Sequence, residues 1–303
     1  MHIQGKKKGI LVSTILFITA GLILAYPQSL MDTYLPVLPY LDNALNTSDM
    51  LVQYTVACFL LGNALSQLAS GVLSDYFGRI KILLLGLVIA ILGSILCYIG
   101  YNIIFMLIGR AIQGVGSGMA AILMRVIIAD SFPGKSFSKV YSFLVAFSIL
   151  MIAVGPVIAS HLMQYYGWES VMSFMLGYAI IIGLLVVTSI IAVSCTLPQA
   201  KLIKKRPRQL WAILLNKQFL MTTLVMFFIY GVMASILLSY PYIFIQVYHM
   251  QVSDFGWVIA LVVLCMLAGA ILNNLLLRRF SSIAVTKAAL IIMFISMVGV
   301  LLS

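Results

Sequence analysis

The sequence predicts an all-α protein that crosses a membrane many times. Three observations predict it. Of the 303 residues, 63% are hydrophobic and 8% charged, with a mean hydropathy of +1.16. That is more apolar surface than a soluble chain can hide, because folded domains leave a large share of their chain facing water. The apolar residues gather near 10–39, 50–71, 82–100, 103–128, 137–163, 170–195, 219–244, 252–277 and 284–303. Each of these segments is about long enough to cross a hydrocarbon core of ~30 Å. The third observation is that the charges between the segments alternate in sign.

Every Lys and Arg except Arg110 lies ahead of the first segment or in and beside alternate connections. These are Lys6–Lys8; Arg79 and Lys81; Arg125, Lys135 and Lys139; Lys201, Lys204–Arg206, Arg208 and Lys217; and Arg278, Arg279 and Lys287. The opposite connections carry Asp42, Asp49, Glu169 and Asp254 and no base. This is the positive-inside asymmetry, and it puts the N-terminus in the cytoplasm. It also argues against nucleic acid as a partner despite a net charge of +11, because a binding patch does not divide its charge over separated loops. Cys58, Cys97, Cys195 and Cys265 all fall inside apolar runs and read as packing residues. The basic start at Lys6–Lys8 followed by an uncleaved apolar run reads as a signal anchor.

The first segment is long for one span, and Pro27, Pro36 and Pro39 predict a kinked or tilted helix. Asp32 sits inside it. A carboxylate there is expensive unless it faces a protein interior or water; a simply hydrated helix end is the other reading. The second segment ends in GVLSDYFGRIK, residues 71–81. This is a short polar hinge before the third segment. Gly71 permits close helix approach, and Gly78 suits backbone angles that a side chain forbids. Asp75 and Arg79, four residues apart, face each other if the backbone is helical.

The fourth segment carries Arg110 about seven residues from its outer start, roughly 10 Å deep at ~1.5 Å per residue. An acid and a base at matching depth suggest that Asp32 and Arg110 pair; snorkelling of Arg110 to the surface is the alternative. Gln113, three residues on, extends the same face. Gly114, Gly116 and Gly118 read as a small-residue packing stripe rather than a nucleotide loop, because no strand precedes them. At the inner end, Arg125 and Asp130 are interfacial charges, and Asp130 is a candidate partner for Arg79. Gly155–Pro156 predicts a loosened or kinked fifth span. After the sixth, residues 198–218 form a basic cytoplasmic linker with a short interfacial helix expected near Leu210–Leu215. Three more spans follow. The domains expected are therefore 1–197, a six-helix bundle; 198–218, the linker; and 219–303, an incomplete second bundle.

On these residues the chain resembles drug:proton antiporters of the major facilitator superfamily, the Bcr/CflA-like and MdfA-like multidrug group. The matching stretches are Asp32 to Pro36, Gly71 to Lys81, Gly109 to Gly114, Arg125 with Asp130, and Gly155–Pro156. The resemblance implies a major facilitator fold in a bacterial inner membrane and proton-coupled export of small amphipathic molecules by alternating access. It implies that Asp32 carries the proton and faces substrate, with Arg110 coupled to it and Gln113 beside them. Gly71, Asp75, Gly78, Arg79, Lys81, Arg125 and Asp130 form a cytoplasmic gate, and Gly155 with Pro156 form a hinge. The partners implied are a small molecule, protons and the bilayer; no cofactor, metal or enzymatic chemistry is implied. His2, His161 and His249 have no ligand spacing.

The chain departs from the family in three places. Ala159–Ser160 stand where the family's helix-5 motif has glycines, and Glu169 where Arg is common. About nine of twelve helices are present, which reads as a truncated transporter with impaired activity. A proton-coupled importer and a non-transporting remnant are the competing functions.

Overall fold

Runs of apolar residues without water to satisfy their backbone must bond internally, and a helix does so within one segment. The computed structural model of the protein describes residues 2–132, 134–194, 217–276 and 279–302, and among them the regular structure is helical. The elements are α1 (His2–Tyr34), a 3-10 turn (Leu35–Val37), α2 (Leu38–Ala44), α3 (Asp49–Phe77), α4 (Arg79–Ile99), α5 (Ile103–Ser131), α6 (Lys135–Tyr166) and α7 (Trp168–Ser194). They continue as α8 (Lys217–Pro241), a π-helical turn (Tyr242–Val247), α9 (Val252–Leu276) and α10 (Ser282–Leu302). Among the described residues eight helical stretches are long and apolar enough to cross a membrane, and the ninth expected segment is the 21-residue α10. Cys195, Arg278 and the expected linker up to residue 216 lie outside the described residues.

Where the sequence predicts a kink, the first segment narrows locally while Thr14–Ala44 stays one helical stretch. Pro36 lacks the N–H that would continue the α1 ladder, and Leu35–Val37 tighten into a 3-10 turn that is wholly buried. α3 starts on Ser48, whose hydroxyl accepts from the Leu51 N–H, and α5 on Asn102, whose side chain accepts from the Ile104 N–H at 2.8 Å. α6 runs uninterrupted through Gly155–Pro156, so the expected loosening there does not divide the helix.

The described residues up to 260 form one unit with α5 at its centre, packed most extensively against α3 and α4. Lipid tails are as apolar as leucine, so helices associate in a bilayer by close packing rather than by hiding from water. The small residues of α5 do this. A Cβ on Gly114 would overlap the Phe59 carbonyl of α3; one on Gly116 would meet the Ala90 N–H of α4; and one on Gly118 would meet Ser66 and Asn63 of α3. The stripe read from the sequence therefore faces two neighbours in alternation. α3 answers with Val52, Thr55, Phe59, Gly62, Ser66 and Ser70 buried, while Leu61, Leu65 and Leu68 point outward. Gly71 is a correction: a side chain there would meet open space, so it serves no close approach. Cys97 is buried as expected, but Cys265 is exposed. The described residues from 261 onward, the rest of α9 together with α10, form a second unit with large apolar side chains exposed, among them Leu272, Ile292 and Phe294.

Gly114→Ala should destabilise the protein by about 1–3 kcal/mol, because the overlapped atom is backbone and cannot swing away. Gly71→Ala should be neutral or stabilising by up to about 1 kcal/mol, as for an unobstructed helical glycine. Thermal unfolding of the purified chain in detergent measures both, and equal losses would contradict the seam.

Candidate functional site

Two sets of polar side chains stand out, one inside the bundle and one at the cytoplasmic hinge. Inside, Arg110 of α5 is 0% exposed and Asp32 of α1 is 2% exposed. They do not form the expected ion pair. Asp32 Oδ1 accepts from Gln28 Nε2 at 2.8 Å, and Gln28 is exposed. Arg110 instead lies under aromatic rings: its Cζ is 4.1 Å from the Tyr34 centroid and 4.3 Å from that of Phe59. The physical reason is helical phase. At about 100° per residue, positions two apart on α1 point to nearly opposite sides. Tyr34 covers Arg110, so Asp32 turns away from it.

Gln113 is where the sequence places it, on the Arg110 face and fully buried. Arg110 Nη1 donates to Gln113 Oε1 at 2.6 Å, and Gln113 Nε2 donates to Ser94 Oγ at 2.8 Å. Ser94 spends its own proton on the Ala90 carbonyl at 2.9 Å. It can therefore only accept from Gln113, and this orients the amide with its oxygen toward the guanidinium. Tyr34 is tied to α3 by the 2.9 Å contact of its hydroxyl with Thr55 Oγ1. Arg110 Nε and Nη2 are buried without a hydrogen-bond acceptor.

At the hinge, the charges come together as expected. Gly78 takes φ +96°, ψ 144° between α3 and α4, a conformation that L side chains rarely adopt. The reversal brings Arg79 Nη2 within 2.8 Å of Asp75 Oδ1, and Arg79 Nε within 3.4 Å of Asp130 Oδ2 on α5. Arg79 also donates to Ser74 Oγ. The side chains of Arg79 and Asp75 are 23% and 29% exposed and that of Asp130 is 60% exposed. Lys81 and Arg125 are exposed and take part in neither of these ion pairs.

On α6, Gly155 and Pro156 are buried, and a Cβ on Gly155 would meet Thr33 Oγ1 beside Asp32. Ser160 donates to the Pro156 carbonyl at 2.7 Å, and Gly256 of α9 sits against both. Gln164 Oε1 accepts from the Ser253 N–H at the start of α9, 3.0 Å away. Sequence reasoning misses Gln28, Tyr34, Phe59, Ser94 and Ser74. Gln28 has a signal, four residues ahead of Asp32 on one helix. Phe59 has none, being one aromatic among many.

Comparison with known proteins follows the same lines. Multidrug resistance protein MdtL of Klebsiella pneumoniae is 30% identical over 165 residues, 54% of this chain and 42% of that protein. The MdtL of Citrobacter koseri is 30% identical over 200 residues, 66% and 50% of the two chains. For MdtL of Escherichia coli the figures are 25% over 250 residues, 82% and 63%. The chain thus spans about half the length of the curated relatives it matches, between 42% and 63%.

Among solved structures, the fold is similar to a bacterial homolog of the human lysosomal transporter Spinster, inward-facing and unoccupied. The TM-score is 0.63 at 18% identity, covering 89% of this chain and 63% of that one. A D-xylose-proton symporter gives a TM-score of 0.58 at 20% identity, covering 89% and 70%. At such identities the likeness is one of fold. The sequence model of the Major Facilitator Superfamily matches residues 22–303. With that match over most of the chain and eight helical stretches long and apolar enough to cross a membrane, this chain belongs to the Major Facilitator Superfamily.

Proposed function

We propose that the chain serves proton-coupled export of drugs or other small amphipathic molecules across a bacterial inner membrane, by alternating access, as a transporter and not as an enzyme. The observation that carries this is the Asp32 carboxylate, buried within a membrane-spanning segment and hydrogen-bonded to the exposed Gln28 rather than to a base. An intramembrane acid is costly and marks a functional site, and the relatives are multidrug resistance proteins. In this reading residues 1–197 act as one six-helix bundle, 198–218 as a cytoplasmic linker, and 219–303 bring three helices to a second bundle. Substrate binds between bundles, as in other transporters built from repeats.

Asp32 takes a proton from the outer space when the interior opens outward, and the neutral acid then releases a cationic or polar substrate group. Inward opening returns the proton to the cytoplasm. Arg110 and Gln113 hold a fixed positive charge behind Tyr34, on the side of α1 away from Asp32. The cluster of Asp75, Arg79 and Asp130 ties the inner ends of α3, α4 and α5 and has to open with each cycle, with Gly78 as its pivot and Lys81 and Arg125 at its rim. Gly155 and Pro156 let α6 pass close to Thr33 of α1.

In inverted vesicles carrying the chain, adding an amphipathic drug should collapse part of an imposed proton gradient, and Asp32→Asn should abolish this. Unchanged drug-driven release from the Asp32→Asn chain would remove Asp32 from the mechanism. Absence of release by the unaltered chain across a panel of drugs would overturn the exporter reading.

At the hinge, Asp75→Asn should reduce transport more than Asp130→Asn, because the second pair is longer and more exposed, and exposed pairs contribute about 0–1 kcal/mol. Gly78→Ala should be the most damaging change there, at about 1–3 kcal/mol of backbone strain, although a Cβ meets no neighbouring atom. Equal transport rates in these three variants would contradict the gate.

A further inference from the structure

A guanidinium with no exposed surface, inside a membrane span, needs something in place of water. Arg110 has little. One of its five N–H groups is bonded, to Gln113 at 2.6 Å, and Nε and Nη2 find no acceptor. The carboxylate groups in ion pairs among the described residues, Asp75 and Asp130, belong to the hinge and are taken by Arg79. What surrounds the charge is two ring faces contributed by different helices, Tyr34 from α1 and Phe59 from α3. A ring face carries the negative part of its quadrupole, and within about 6 Å it attracts a cation more strongly when both are desolvated. Both rings meet that condition: Tyr34 is 0% and Phe59 1% exposed.

We infer that Tyr34 and Phe59 form an aromatic clamp that replaces a counter-ion for Arg110, and that both are positioning residues for the coupling site. The clamp has three consequences that a carboxylate partner would not give. It holds the charge without neutralising it. It leaves Nε and Nη2 as unspent donors. And it frees Asp32, two residues from Tyr34 and on the other side of α1, to gain and lose its proton without making or breaking a salt bridge. Each ring is itself fixed. The Tyr34 hydroxyl is held by Thr55 at 2.9 Å, and the Phe59 backbone is seated against Gly114, one turn along α5 from Arg110. The functional part of this inference rests on the transport reading proposed above; the physical part does not.

The test is a double-mutant cycle on thermal unfolding of the purified full chain in detergent. Arg110→Met keeps an unbranched apolar stem and removes the charge, and buried ions replaced by apolar groups are often neutral or stabilising. Tyr34→Leu should lower the Tm by about 2–4 °C more in the Arg110 background than in the Arg110→Met background, and Phe59→Leu should behave alike. Tyr34→Phe, which keeps the ring and loses the hydroxyl, should show no such coupling. A Tyr34→Leu chain that fails to fold with Arg110 yet folds with Arg110→Met gives the same answer in stronger form. If it fails in both, the Phe59→Leu cycle decides. Ring losses that cost the same with and without the charge would overturn the clamp.

In vesicles, Tyr34→Leu should lower the maximal drug-driven proton flux about tenfold with little change in KM, and Tyr34→Phe should restore it. Equal loss in both variants would assign the effect to the hydroxyl and overturn the positioning role. If the unaltered chain moves no protons, the transport reading fails while the unfolding cycle still decides the clamp.

Discussion

The structure depends on how closely the backbone of α5 approaches α3 and α4. A bilayer offers no water to drive helices together, so contact has to come from surfaces that fit, and the best fit is backbone on backbone. Gly114 against the Phe59 carbonyl and Gly116 against Ala90 supply it. That seam does more than hold three helices. It sets α5 so deep in the bundle that whatever follows the same helical face is sealed from lipid and water alike, and Arg110 and Gln113 follow it. Phe59 is used twice: its carbonyl seats a glycine and its ring receives the guanidinium.

The two arginines in networks show how depth selects a partner. Arg79, partly exposed at the inner end, is met by two carboxylates and a hydroxyl. Ions near water keep much of their hydration, so gathering several there costs little. Arg110, with no exposed surface, is met by an amide and two rings. An aromatic ring has almost no hydration to shed, whereas an ion loses several kcal/mol of it on burial; Asp32, the acid buried at similar depth, is met by an amide and not by this cation. The same cation therefore takes different company at the membrane edge and in its interior.

The fold was legible because its signals are one-dimensional. Span length, alternation of Lys and Arg between connections, and the polar hinge at 71–81 need no knowledge of what packs on what, and the hinge pairs Asp75–Arg79 and Arg79–Asp130 follow from an i,i+4 spacing and from helix ends at one membrane surface. The partner of Arg110 was not legible. Matching depth of Asp32 and Arg110 says nothing of the direction each side chain takes around its helix, and Tyr34, not Asp32, has the phase that faces α5. Gly71 failed for a similar reason. Its composition suits a close approach, but among the described residues a Cβ there would meet nothing within 4 Å. Gly114, Gly116 and Gly118 succeeded as packing residues, although the spacing splits them between two faces: Gly114 and Gly118, four apart, meet α3, and Gly116 meets α4.

The nearly opposite directions of Asp32 and Tyr34 make α1 an insulator as well as a scaffold. A helix with its side chains is about 10 Å across, and two like charges at that separation repel by only about 1–2 kcal/mol at an effective dielectric constant near 20. For a positively charged guest brought against the acid, the permanent cation would then cost about as much as one charged hydrogen bond gives. Had the acid and the base shared one side, accommodating such a guest would have required pulling them apart first.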